Sequence, residues 1–213
     1  MGMAMTGQGR MGELTLGKLR VLSDHSLRRA SESLTSLLGP PVRLTASSVT
    51  FVPIGVLATL AATADGDPMV ALRIQITGEA SGQMIILFPR HTVFHLLGVL
   101  LGEREERGSL SDEERSAIQE VGNILASTFL TRLGDLLQRR LIPTPPQIHL
   151  DDAPGLMQQV VAELEGEGSE VLMVQATFED PEERIEGRFF VLPEMASLAP
   201  LLRGVGAGEG SEG

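Results

Sequence analysis

A duplicated α/β (α+β) body with pseudo-twofold symmetry, its mostly antiparallel sheet packed by two long helices, is the fold this sequence predicts. Three observations lead there. The apolar scaffold repeats: a shift of 99 residues lays Leu19 on Ile118, Leu34 on Leu133, Leu37 on Leu136 and Leu38 on Leu137. The segment GQMIILFP from Gly82 to Pro89 resembles GRFFVLP from Gly187 to Pro193 with a one-residue slip, and each leads into a short leucine-bearing helix. The strands come in pairs across short polar turns, and strands joined as hairpins are antiparallel. The expected organisation is a flexible N-terminus over 1–12, one domain over 13–203 built of two repeats (about 14–102 and 109–203), and a disordered tail over 204–213.

Taken in order, Leu14 to Leu38 carries an apolar stripe at helical spacing and is ended by Gly39-Pro40-Pro41. Val42 to Val52 alternates as a strand, with a bend at Pro53-Ile54-Gly55, and Val56 to Thr63 reads as a second strand before the turn Ala64 to Asp67. Met69 to Thr77 and Gln83 to Phe88 form a hairpin across Gly78 to Gly82. A short helix from His91 to Leu101 and a charged linker, Gly102 to Gly108, close the first half. The second half opens on the longest periodic stretch, Ser111 to Pro146, read as one helix and a proline-rich stop. Ile118, Val121, Leu125, Phe129, Leu133 and Leu136 fall on its buried side, and Leu130 is placed outside, on a docking or dimer surface. A short strand at Gln147 to Leu150, a helix from Ala153 to Glu165, a hairpin of Glu170–Phe178 with Arg184–Leu192, and a last helix over Pro193–Leu202 follow.

With 42% hydrophobic and 21% charged residues, the composition is that of a soluble globular protein. A net charge of −11 argues against nucleic acid or an anionic membrane as partner. The absence of cysteine excludes disulfides, thiolate metal sites and a cysteine nucleophile, and fits the cytoplasm. No apolar run reaches the ~20 residues that span a bilayer. The opening MGMAMT loosely fits a myristoylation pattern, but a flexible start is the preferred reading.

Chemistry concentrates on the wet side of the long second-half helix. Ser116, Glu120, Asn123 and Ser127 follow one another at spacings of four, three and four, which stacks them along one edge. Gly122 and Asn123 are weak helix formers, costing about 1 and 0.5 kcal/mol relative to Ala, as though something outside the fold selects them. Under the 99-residue shift Ser116 meets Gly17, Glu120 meets Val21, Asn123 meets Asp24 and Pro146 meets Ser47. The halves therefore share a scaffold while only the second carries the polar set.

Ser116-x3-Glu120-x2-Asn123-x22-Pro146, within the text Glu-Val-Gly-Asn-Ile-Leu-Ala-Ser, resembles the signature of the CheC/CheX/FliY phosphatases of chemotaxis. The likeness covers roughly residues 14–203. CheC proteins commonly carry the signature twice, so the resemblance marks the first-half positions, Val21 and Asp24, as degenerate. It implies a phosphatase acting on the aspartyl phosphate of a CheY-type response regulator, with Asn123 orienting the attacking water and Glu120 docking to the regulator's lysine. Ser116 and Ser127 would belong to the contact face, and Pro146 would fix the chain's exit from the helix. No cofactor or metal of its own is implied; Mg²⁺ is expected on the regulator. The alternative is a non-catalytic adaptor that binds a phosphorylated regulator or the receptor deamidase CheD.

Other candidates are weaker. His91 and His95 are four apart but lack a third ligand. Gly204 to Gly208 follows a helix instead of joining strand to helix. Glu179 to Glu183 reads as a solvated turn, and Arg139-Arg140 as a favourable charge at a helix C-terminus.

Overall fold

The computed structural model describes residues 5–59, 69–102, 108–150, 152–164, 170–179 and 185–194, with side chains described from Leu16 onward. The expected tail over 204–213, the last helix beyond Glu194, the Ala64–Asp67 turn and most of the charged linker lie outside the described residues.

Helix α1 (Met5–Leu38) begins before the expected Leu14 and is followed by strand β1 (Arg43–Pro53). The predicted strand from Val56 is instead a helical turn, α2 (Ile54–Leu57). Ile54 and Leu57, three apart, are both buried against the later helix α5 (Ala153–Leu164), while Gly55 and Val56 face out; the β-branched run looked like a strand, but its burial has a helical period. Strands β2 (Met69–Gly78) and β3 (Gly82–Pro89) pair as the expected hairpin, and α3 (Arg90–Leu101) completes the first half.

The second half repeats this order. Helix α4 (Asp112–Leu137) leads to β4 (Leu141–Pro143) and β5 (Gln147–Leu150), then α5 (Ala153–Leu164), β6 (Glu170–Glu179) and β7 (Arg188–Pro193). Strand β4 was not anticipated, because three residues among prolines carry no periodicity.

The seven strands among the described residues form one antiparallel sheet in the order β1-β6-β7-β3-β2-β4, with β5 also on β2. The order is symmetric about the central β3–β7 pair, where Met84 faces Val191 and Ile85 faces Phe190. Each half lends its first strand to the other: β1 pairs β6, while β4 and β5 pair β2. The irregularities repeat too. The β1–β6 register slips around Ser47, and the β4–β5 edge slips around Thr144 to Pro146, the positions the 99-residue shift superposes. A proline at that point is tolerated because the edge strand is bulged and its ladder already interrupted.

Both faces of the sheet are covered. Val70, Leu72, Ile74, Met84, Ile86 and Phe88 point to α1, α3 and α4, while Ala71, Ile85 and Leu87 point to α2 and α5. Phe129 of α4 meets Phe189 of β7 edge-on at 5.2 Å, fixing the helix over the centre of the sheet. On the α5 side, buried Arg73 donates to Gln83 at 3.0 Å and to Glu163, and Gln83 donates to Glu163 at 3.0 Å. A buried cation on the interior strand β2 thereby finds its counter-charge on the covering helix.

Candidate functional site

Helix α4 starts on a reciprocal cap. The Ser111 hydroxyl accepts from the Glu114 backbone N–H at 3.3 Å, and the Glu114 carboxylate accepts from the Ser111 N–H at 2.7 Å. Asp112, Glu113 and Glu114 in the first turn complement the helix dipole. The helix ends at Gln138, whose φ of 53° is left-handed, and Arg139 N–H closes onto Gly134 carbonyl at 2.9 Å. Arg139 then pairs with Glu79 at 3.1 Å, and Glu79 also accepts from Arg140 N–H at 2.7 Å. The Arg140 backbone bond, then the Arg139 contact, hold the Glu79 carboxyl below the usual carboxylate range. The cation at this terminus thus pins the helix exit to the β2–β3 hairpin.

Ile118, Val121, Leu125 and Phe129 are fully buried, as expected. Leu130 is a correction: it is also fully buried, because α1 packs along α4 and widens the apolar face past the sheet-facing stripe. Leu133 and Leu136, expected in the core, are only half-buried.

Ser116 and Glu120 are exposed and Asn123 is half-buried, so the acid and the carboxamide stand one turn apart on an open edge. Three residues apart on a helix, their Cβ atoms are separated by about 5–6 Å. Neither side chain makes a hydrogen bond or ion pair among the described residues. Ser127 differs: its hydroxyl donates back to the Asn123 carbonyl at 2.6 Å, so its proton is committed to the helix.

Pro146 is buried against this same turn. A Cβ on Gly122 would sit 2.8 Å from Leu72 Cδ1 and 3.3 Å from Pro146 Cγ. Gly122 thus packs closely against Leu72 and Pro146, which gives this weak helix former a reason inside the fold beside the expected outside one. Gln119, which the sequence did not single out, donates to the Pro146 carbonyl at 2.9 Å. Together Gln119 and Gly122 clamp the exit segment beneath the edge that carries Glu120 and Asn123.

In the first half the same shift gives no counterpart. Val21 is 55% exposed and offers no charge, and Asp24 is half-buried. Among the described residues no three His, Asp or Glu gather as a metal site, His91 and His95 included, and no helix is long and apolar enough to cross a membrane.

Known proteins share part of this sequence and the overall fold. Residues 113–150 match the model of the CheC-like family. The CheY-P phosphatase CheC of Bacillus subtilis is 26% identical over 145 residues, covering 66% of this chain and 69% of that protein. FliY of Thermotoga maritima superposes with a TM-score of 0.69 at 16% identity, over 89% of this chain and 94% of that one. A chain of the CheX–CheY–BeF3–Mg²⁺ complex from Borrelia burgdorferi superposes with a TM-score of 0.51 at 19% identity, over 79% and 95%. The matched segment begins in the first turn of α4 and ends with β5, enclosing Ser116, Glu120, Asn123 and Pro146: over this stretch the chain is similar to the CheC-like family, and its fold is that of FliY and CheX.

Proposed function

We propose that this chain hydrolyses the aspartyl phosphate of a CheY-type response regulator, through one site on the second-half helix. The observation that carries the proposal is the open edge of α4, where a carboxylate and a carboxamide stand one turn apart with no partner among the described residues. It is supported by the CheY-P phosphatase activity in the name of the Bacillus subtilis relative and by the CheX–CheY complex among the structural neighbours.

An acyl phosphate is intrinsically labile, and the regulator's Mg²⁺ neutralises its phosphoryl oxygens. What remains is to place a water in line with phosphorus. The Asn123 C=O accepts from that water while its NH2 donates toward a phosphoryl oxygen, a task glutamine performs in GTPases. Glu120 pairs with the regulator's active-site lysine, which fixes the dock and draws that lysine away from the phosphoryl group. Neither role needs a nucleophile or a metal held by this chain. Pro146, clamped by Gln119 and Gly122, keeps the helix edge in place.

Phosphate release from an acetyl-phosphate-charged regulator tests the assignment. Asn123→Ala should slow it by about 10²-fold, equivalent to ~2.7 kcal/mol of barrier. Full activity in that variant refutes the catalytic role, and binding without any turnover by the wild-type chain favours the adaptor.

A further inference from the structure

Helices α1 and α4 part on their solvent side around a groove of about 600 Å³. Its charged lining is His25, Arg28, Arg29 and Arg132 against Glu32 and Asp135. Arg29 is committed to Glu32 at 2.7 Å. Arg28, exposed, and Arg132, half-buried, have no ion pair among the described residues, although the chain carries a net charge of −11. Ser127 lines the groove and sits one turn beyond Asn123 on α4, so the groove opens one helical turn from the proposed site.

We propose that this groove is a second contact with the response regulator, seating acidic side chains on the rim of its phosphorylation site. The inference rests on the function proposed above. Mg²⁺ beside a phosphoaspartate is held by one or two further carboxylates and water, so acidic side chains concentrate at the regulator's site and its surroundings are taken as anionic. A phosphatase of net charge −11 repels such a rim unless cations are placed where the two surfaces meet. Arg132 lies nine residues along α4 from Asn123, about 13 Å, which is within the footprint of an ordinary protein interface. Guanidinium groups suit the task because they bind carboxylates with two parallel hydrogen bonds.

The test measures Kd for CheY-type regulators of the same cell, charged with beryllofluoride and Mg²⁺, at low and high salt. The double variant Arg28→Glu/Arg132→Glu should weaken binding by about tenfold or more at low salt, with the difference shrinking at high salt. Arg28→Gln/Arg132→Gln, which avoids new carboxylates in the groove, should show a smaller loss in the same direction. Both should leave kcat on saturating regulator unchanged. An unchanged Kd in the two folded double variants overturns the groove contact while leaving turnover by Asn123 intact. Wild-type binding that responds to these substitutions, with no phosphate release from the same regulator charged by acetyl phosphate, overturns the phosphatase reading and leaves the groove standing. Failure of the wild-type chain to bind any charged regulator overturns both.

Discussion

Gly122→Ala separates the two explanations for a weak helix former in the middle of α4. If the glycine served only an outside partner, alanine would gain helix propensity and stabilise the protein by about 1 kcal/mol. The packing says otherwise. The added methyl would lie 2.8 Å from Leu72 Cδ1 and 3.3–3.4 Å from Pro146 Cγ and Cβ. Leu72 is fully buried on the interior strand β2 and Pro146 is buried beneath the helix, so neither can swing into solvent. Overpacking of this kind costs about 1–3 kcal/mol, which exceeds the propensity gain and leaves a net loss of roughly 1 kcal/mol. In a chain of this size that lowers Tm by about 2–4 °C. Gly98→Ala in α3 is the matched control, because its Cβ would meet nothing within 4 Å. It should raise Tm by a similar amount. Thermal unfolding of the two variants beside the wild type is the assay. A Gly122→Ala protein that melts higher than wild type refutes the claim that the fold demands this glycine.

Glu120→Ala should weaken binding of a charged regulator by about tenfold while the far-UV spectrum and Tm stay unchanged, since an exposed carboxylate without partners stabilises nothing; unaltered Kd in a titration removes it from the interface. Arg73→Met should lower stability by about 1–3 kcal/mol in urea unfolding, because Gln83 and Glu163 lose their shared donor; a variant as stable as wild type shows the network to be dispensable. For Glu163, burial acts to raise the carboxyl, but the hydrogen bond and charge of Arg73, with help from Gln159 and Gln83, hold it below its ordinary value. A pKa lower in the folded state contributes stability above the unfolded value of about 4.3, and that contribution is lost as pH falls through the folded value. Glu163→Gln should therefore show a shallower acid loss of stability, read from unfolding midpoints at neutral pH and near pH 3. Cutting the chain in the 103–107 segment should give halves that fold only when mixed, as β6 and β2 each take a partner strand from the other half; a folded isolated half would disprove the interlock.

Much of the fold was legible because it obeys short-range rules. The 3.6 period of α4 placed Ile118, Val121, Leu125 and Phe129 in the core, and the hairpins followed from strand length and turn chemistry. Errors arose where a second element decides burial. Leu130 is inside because α1 lies against it, and Ile54 and Leu57 form a helical turn because α5 accepts them at that spacing.

The linear chain by itself determined the duplication, the asymmetry between Val21 with Asp24 and Glu120 with Asn123, and the shared edge of the latter pair. Helix periodicity and a repeat are properties of spacing, so both survive without coordinates. Only the tertiary structure decided that the halves exchange strands and that Gly122 and Gln119 seat Pro146. It also decided that Arg28 and Arg132, 104 positions apart, face one groove. Such relations depend on distances between segments far apart in the chain, which no local pattern of residue types encodes.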